Sequence, residues 1–398
     1  MRKILDGVRV LDFTHVWFGP YCTMMLGEIG AEIILVEPPW GNIGRLGPGE
    51  LYKGTSTSFM ALNQSKKGIT IDMKQPEGIA LVKELAKESD IMVQNYVPGV
   101  MERLGLGYND IKKIKPDIVY AALSGFGQTG PYREYASYAV IAEALSGHSY
   151  ANGNPTEPNG APKGLAGAIG DLAPATMAAF AIMAAFYHKM KTGEGQFIDV
   201  SQIDTMVSYN TPSTTDYSLF GEPAAVRRAR KLQDVNPDKP TGPAQIWGIV
   251  RVKDGWIQVA GSRPKAMEEL KKYLGVEEVD AKAVESFKVQ LGEMTKRDAF
   301  DFLIKFGFPA APVYQAHEAM DDPHVLAREM FVEVEHPIAG KYKTPNFPVK
   351  FSVTPGKVTS AVPVLGQHTE EILKSILKKT PEQIAALENS GIITCWRP

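Results

Sequence analysis

Gly167-Ala168-Ile169-Gly170-Asp171 places a single carboxylate behind a run of small residues, at the head of a long uncharged stretch. Two roles fit Asp171. As a helix N-cap, it accepts backbone N–H bonds and does nothing more. As a nucleophile, it has helix-end donors to stabilise its charge and small neighbours that let a bulky electrophile approach. Both remain open at this level. Gly125-Phe126-Gly127-Gln128-Thr129-Gly130 spells G-x-G-x-x-G after an apolar run, the string of a dinucleotide site. Pro131 follows at once, no apolar helix continues the string, and position 150 holds Tyr150 where an acidic ribose ligand belongs. The string therefore reads as a glycine-rich turn. Neither G-x-x-x-x-G-K-[ST] nor the G-x-S-x-G elbow of serine hydrolases occurs. His15, His148, His188, His317, His324, His336 and His368 include no H-E-x-x-H and no i,i+4 pair, so no metal site is expected.

The elements that must carry Asp171 alternate. Val8–Phe13, Ile33–Val36, Ile91–Val93, Asp117–Leu123 and Phe197–Val200 read as buried strands. Between them fall helices at Tyr21–Ile29 (closed by Gly30), from Gln75-Pro76-Glu77 onward, and at Val100–Leu104 and Ile111–Ile114. This alternation predicts a parallel, doubly wound α/β sheet. A long helix is expected after Asp171 to about Lys189, and a Ser/Thr-rich one over Ser201–Phe220. Gly221–Gly242 looks like a crossing segment. Beyond it, Ile246–Val252 and Trp256–Val259 flank Lys253-Asp254-Gly255, where Asp-Gly favours a hairpin turn. Helices at Pro264–Leu274 and Lys296–Phe306 complete a smaller α+β unit. A Pro-rich return leads to helices near Thr369–Leu377 and Pro381–Ser390.

With 398 residues, 44% of them hydrophobic, the chain is long enough for two domains. A net charge of −2 argues against coating nucleic acid or anionic lipid. Cys22 and Cys395 are too few for a disulfide scaffold and suit a reducing cytoplasm. Met1-Arg2-Lys3 leads into Val8–Phe13 without a signal-peptide core, and Leu172–Tyr187 contains Pro174 and is short for a membrane span. A soluble cytoplasmic protein without a membrane segment is expected.

Several ordered blocks resemble the class III coenzyme A transferases, the CaiB/BaiF family. They are Leu11-Asp12-Phe13-Thr14-His15-Val16-Trp17-Phe18-Gly19-Pro20, Gly30-Ala31-Glu32 through Glu37-Pro38, Asp90 through Gly99, Ser124-Gly125 through Pro131, Gly170-Asp171, Lys191-Thr192-Gly193-Glu194-Gly195-Gln196, and Leu365-Gly366-Gln367-His368-Thr369-Glu370. The resemblance covers essentially the whole chain. It implies a Rossmann-like large domain built from both chain ends (1–220 and 331–398), a small domain with its linker inserted at 221–330, and an interlocked dimer.

It also implies an activity. Asp171 sits where the family keeps its catalytic aspartate, which moves CoA from an acyl-CoA donor to a free carboxylic acid through acyl-aspartyl anhydrides and an aspartyl-CoA thioester. CoA enters as substrate and leaves as product, with no permanently bound cofactor. His15, Val16 and Trp17 match the loop against CoA and the acyl group, Asn95 and Tyr96 the adenine-side loop, and Lys74 and Arg103 basic positions near the CoA phosphates. Trp17, Phe18 and Tyr138, with Trp40 or Tyr52, would line the acyl pocket. Gly170 and Ala166-Gly167-Ala168 would let backbone donors reach an oxyanion.

There are departures. Pro38 stands where many members carry a CoA-gripping arginine. The glutamine that formyl-CoA transferases carry at the Trp17 position is missing, and Thr241-Gly242-Pro243-Ala244-Gln245 replaces their run of four glycines, so formyl and oxalyl substrates are not expected. The family's α-methylacyl-CoA racemases are the competing class. Their His–Asp pair and glutamate align with Tyr138, Ala139 and Arg263, which support proton shuttling poorly. One subunit of a hetero-oligomeric transferase is a further alternative. The aromatics favour a larger apolar or aromatic acceptor, and Arg45 or the Arg227-Arg228-Ala229-Arg230-Lys231 run would read the second carboxylate of a substituted dicarboxylate.

Overall fold

The computed structural model describes residues 3–153, 161–223, 226–227, 246–260 and 263–397. The chain divides into two compact units, Met1–Ala224 with Glu329–Pro398, and Ala225–Arg328. In the first, six parallel strands run in the spatial order Lys66–Thr70, Glu32–Glu37, Arg9–Phe13, Ile91–Gln94, Val119–Ser124, Phe197–Ser201. Numbered along the chain, that is 3-2-1-4-5-6, and the order reverses between Arg9–Phe13 and Ile91–Gln94. Side chains alternate across the sheet. Leu11, Phe13, Ile34, Val36, Met92 and Tyr120 enter one core, closed by the helices Pro76–Lys87, Tyr108–Ile114, Thr369–Ser375 and Pro381–Asn389. Val10, Ile33, Ile91, Val93, Ala121 and Leu123 enter the other, under Phe18–Glu28 and Ile169–Thr192. Because both faces are covered, the strands read as continuous apolar runs.

Among the described residues, one helix, Ile169–Thr192, is long and apolar enough to cross a membrane. Its Ala175, Ala178, Ile182 and Ala185 are buried against the sheet, while Phe180, Tyr187 and Met190 stay exposed.

Three features depart from the sequence expectation. Lys66–Thr70 is a strand although it opens with two lysines. Lys66 is buried there, donating to Asp12 Oδ2 at 3.0 Å, the Pro20 carbonyl at 3.0 Å and Asn63 Oδ1 at 2.9 Å. The Ser201–Phe220 stretch is two helices, Gln202–Tyr209 and Thr211–Phe220, because Pro212 has no N–H to continue the first ladder. Within the Pro-rich return, Phe331–His336 and Gly340–Pro345 pair as an antiparallel hairpin.

The second unit holds a three-stranded sheet in the order Ala310–Pro312, Gly255–Val259, Gly248–Val252. Helices Pro264–Leu274, Ala281–Gly292 and Lys296–Phe306 pack Leu270, Phe287 and Leu303 onto its Val252 and Ile257. The hairpin forms with Gly255 opposite Val252, leaving Lys253-Asp254 as the loop, and of the Asp-Gly pair Gly255 takes the positive φ. Arg228, Arg230, Lys231 and 241–245 lie outside the described residues.

Candidate active site

Ligand sites in open α/β sheets lie beyond the carboxyl ends of the strands, where the order reverses. Here that is the loop His15-Val16-Trp17 after Arg9–Phe13 and the turn Asn95-Tyr96 after Ile91–Gln94. Asn95 joins them. Its Oδ1 accepts from the His15 N–H and its Nδ2 donates to the His15 carbonyl, both at 2.9 Å. Val16 has φ +66°, a strained value for a β-branched residue, which marks the loop as held by its surroundings. The His15 and Tyr96 rings lie 5.2 Å apart. Burial lowers the His15 pKa, against upward pulls from a hydrogen bond to the Phe13 backbone and the charge of Asp12, so the imidazole is neutral at pH 7.

Two glycines bring the remaining pieces together by close approach. A Cβ on Gly125 would lie 2.1 Å from the Ser137 Cβ, and one on Gly170 would lie 2.3 Å from the Ala139 carbonyl oxygen. The 125–138 segment therefore folds back over the strand end, and the helix Ile169–Thr192 starts against Ala139. Ala168, not Asp171, occupies the N-cap position of that helix, without a side-chain cap. Asp171 lies inside the first turn, buried, with its Oδ1 accepting from Gln202 Nε2. Gln202 Oε1 in turn accepts from Ser137 Oγ at 2.8 Å. Burial raises the Asp171 pKa to about 6, with the Gln202 bond pulling it down and the Glu143 charge pushing it up. Glu143 is buried and accepts the Gly170 N–H at 2.9 Å through Oε1, while its Oε2 has no partner among the described residues. The Gly170 amide is therefore already engaged, and the Asp171 amide donates to Ala168 at 2.9 Å, so neither is the free oxyanion donor expected of this stretch.

A cleft of about 330 Å³ gathers His15, Val16, Trp17, Phe18, Asn95, Tyr96, Tyr138 and Asp171 with Gln202 and Arg133. Lys74 and Arg103 do not line it. The Lys74 ammonium sits 4.9 Å from the Trp40 ring centroid, and Arg103 is exposed on Val100–Arg103 with no ion pair to Glu102 among the described residues. Trp40 and Tyr52 are exposed outside the cleft. Arg45 is buried and forked onto Glu37, Nε to Oε1 at 2.8 Å and Nη2 to Oε2 at 2.7 Å, so it is not free to read a substrate carboxylate. Arg133, Ser137 and Gln202 escaped the sequence reading. Only the Gly-Pro-rich flank of Arg133 signalled a loop, and the Gln202 contact spans 31 positions. Among the described residues no group of three or more His, Cys, Asp or Glu side chains is arranged to hold a metal ion.

Asp171 is thus a buried carboxylate with one oxygen free of hydrogen bonds among the described residues, on an aromatic cleft at the switch point of a doubly wound sheet, a setting that suits acyl-transfer chemistry. The sequence profile of CoA-transferase family III matches residues 5–369, and the chain belongs to this family. It is an enzyme, a class III CoA-transferase. It is 33% identical to human succinyl-CoA:glutarate CoA-transferase over 98% of this chain and 90% of that one. It is 31% identical to formyl-CoA:oxalate CoA-transferase of Rhodopseudomonas palustris over 99% of this chain and 98% of that one. A CaiB/BaiF family protein from Brucella suis superposes with a TM-score of 0.79 at 26% identity, covering 94% of this chain and all of its own.

To serve as a nucleophile, Asp171 would have to be ionised, and a carboxyl pKa raised to about 6 means that ionisation is lost below it. With saturation avoided, kcat/KM is expected to fall about tenfold per pH unit below pH 6 and to level off above it. A profile flat to pH 5 contradicts this assignment.

Proposed function

We propose that Asp171 is the nucleophile and that the enzyme transfers CoA from succinyl-CoA to a dicarboxylic acid with an apolar or aromatic body. One observation carries this reading: Asp171 is the carboxylate that lines the cleft, buried, with Oδ1 held by Gln202 and Oδ2 free of hydrogen bonds among the described residues. Oδ2 attacks the donor thioester carbonyl, CoA thiolate leaves, and a mixed anhydride forms. The thiolate then attacks the aspartyl carbonyl and expels the donor acid, leaving an aspartyl-CoA thioester. The acceptor carboxylate attacks that carbonyl and displaces the thiolate again. The thiolate finally attacks the acceptor's acyl carbon, giving the new acyl-CoA and free Asp171. Thioester energy is conserved throughout, so the cycle needs no ATP. It does need water excluded from the anhydrides, which the aromatic walls Trp17, Phe18, Tyr96 and Tyr138 favour.

The name of the human relative supports succinyl-CoA as donor, and both relatives' names support a dicarboxylate as acceptor, since glutarate and oxalate are dicarboxylates. Trp17 and the aromatic walls disfavour the smallest acids. Arg133 is the cation to read the distal carboxylate. Its present partner, Glu134 at 3.1 Å, is exposed, and an exposed ion pair contributes little, so a substrate carboxylate can displace it. The exposed Phe180, Tyr187 and Met190 on the long helix support association with a second copy as an interlocked homodimer, a hetero-oligomer being the alternative. Two buried, unpaired cysteines suit the cytoplasm.

Initial rates with succinyl-CoA and a panel of acids, resolved by chromatography of the acyl-CoA products, test this. Glutarate and aryl- or alkyl-substituted succinates are expected to outrun formate and oxalate. Arg133→Ala is expected to lower kcat/KM for glutarate by about 10- to 100-fold, the worth of a charge-assisted hydrogen bond, and to change butyrate less than threefold. Equal losses for both acids contradict the Arg133 role. Deuterium wash-in at the α-carbon of a branched acyl-CoA, without CoA transfer, contradicts the transferase chemistry.

A further inference from the structure

We infer that the Gln202 carboxamide, locked in orientation by Ser137, is the oxyanion donor for the two steps that occur at the aspartyl carbonyl. The inference rests on Asp171 being the nucleophile.

Gln202 opens the helix Gln202–Tyr209, directly after the edge strand Phe197–Ser201, and is buried. Its amide is held at both ends. Ser137 Oγ donates to Oε1 at 2.8 Å, which turns Nε2 toward Asp171, where it donates to Oδ1. A flipped amide would set Oε1 against the carboxylate oxygen of Asp171 with no proton between them, so the carboxylate and the serine together favour the orientation seen. The lock is thus a two-residue device whose output is one N–H aimed at one oxygen.

The identity of that oxygen matters. When Oδ2 attacks the donor, Oδ1 becomes the carbonyl oxygen of the anhydride. As CoA thiolate adds to the aspartyl carbon, the carbonyl π pair moves onto Oδ1. Collapse of that oxyanion breaks the carbon–Oδ2 bond and releases the donor acid with Oδ2 in its carboxylate. When the acceptor carboxylate attacks the thioester, the π pair again moves onto Oδ1, and collapse expels the thiolate. No proton is required in either step. The Gln202 N–H already points at Oδ1 in the free enzyme, so it meets both oxyanions without reorganisation, which is the condition for strong electrostatic catalysis. The backbone amides nearest by sequence do not compete for this role, because Gly170 donates to Glu143 and Asp171 to Ala168.

The test is single-turnover rapid quench with succinyl-CoA, following the aspartyl-CoA thioester by mass spectrometry as it forms and as glutarate discharges it. Gln202→Leu keeps the volume and removes the donor. It is expected to slow both phases by about 10²- to 10³-fold, the usual loss for one oxyanion donor, with the KM for succinyl-CoA unchanged. Its pH profile is also expected to move to higher pH, because the bond that favours the ionised carboxylate is gone. Ser137→Ala, which deletes one hydroxyl and keeps the Cβ, is expected to slow both phases about 5- to 10-fold and to add nothing to Gln202→Leu. Rates within threefold of wild type in Gln202→Leu overturn the inference. If Gln202→Leu fails to fold, Ser137→Ala decides: unchanged phases overturn the inference, and slowing of both phases with unchanged KM supports it. Absence of any thioester on Asp171 in the unaltered enzyme is a different failure, that of the nucleophile assignment itself.

Discussion

Asp171→Asn is expected to lose turnover by about 10⁴-fold or more while its thermal midpoint stays level or rises. The kinetic half follows from covalent catalysis. Asparagine keeps the shape and can still accept from Gln202 through Oδ1, but its amide nitrogen is no nucleophile. The stability half follows from the pKa. Folding raises the Asp171 pKa from 3.8 to about 6, mainly by burial. A raised carboxylate pKa means the folded state resists the charge. The cost is absent below the unfolded value, grows between pH 4 and 6, and above pH 6 amounts to about 3 kcal/mol. A neutral amide removes that cost. Loss of activity with a stable fold is the pattern of a site that gives up stability for reactivity. Measured by initial rates and calorimetry at pH 7.5, an Asp171→Asn enzyme that turns over within tenfold of wild type, or melts well below it, contradicts this account.

The second large effect belongs to a residue that touches no substrate. Lys66→Met is expected to lower unfolding free energy by about 3–5 kcal/mol, read by chemical denaturation. Lys66 and Asp12 are both fully buried, and the ammonium satisfies all three of its donors, on Asp12, Pro20 and Asn63. Removing it leaves the Asp12 carboxylate uncompensated, with only Thr14 and Thr23 as donors among the described residues. Asp12 is the penultimate residue of the strand that delivers His15-Val16-Trp17, so the same variant is expected to raise the KM for succinyl-CoA. Pairing it with Asp12→Leu is expected to restore part of the stability, because an apolar pair carries no desolvation cost. A loss below 1 kcal/mol in the single variant overturns this reading of the network.

What the sequence made legible was whatever depends on near neighbours. Ile33–Val36 and Val119–Leu123 are apolar because both sheet faces are covered, and a run of that kind needs no distant partner to be read. Lys66–Thr70 was not legible, since its first residue is a lysine whose charge is balanced by an aspartate 54 positions away. The Phe331–His336 hairpin strand does alternate, as Val332-Glu333-Val334-Glu335, but the surrounding prolines masked the period. In the cleft, Asp171 announced itself through its small neighbours and the family blocks. Its control by Gln202 and Ser137 depends on how the edge strand and the 125–138 turn converge. Arg45 shows the opposite error: a cation that looked available is consumed by Glu37, eight residues before it.

The central claim is a covalent bond to Asp171, and peptide-mapping mass spectrometry after incubation with succinyl-CoA addresses it directly, with hydroxylamine added to trap the activated carboxyl. The account predicts a CoA adduct, converted to a hydroxamate by the trap, on the tryptic peptide Gly164–Lys189 at Asp171, and none in Asp171→Ala. An unmodified peptide from an enzyme that still transfers CoA, or an adduct on another residue, contradicts it.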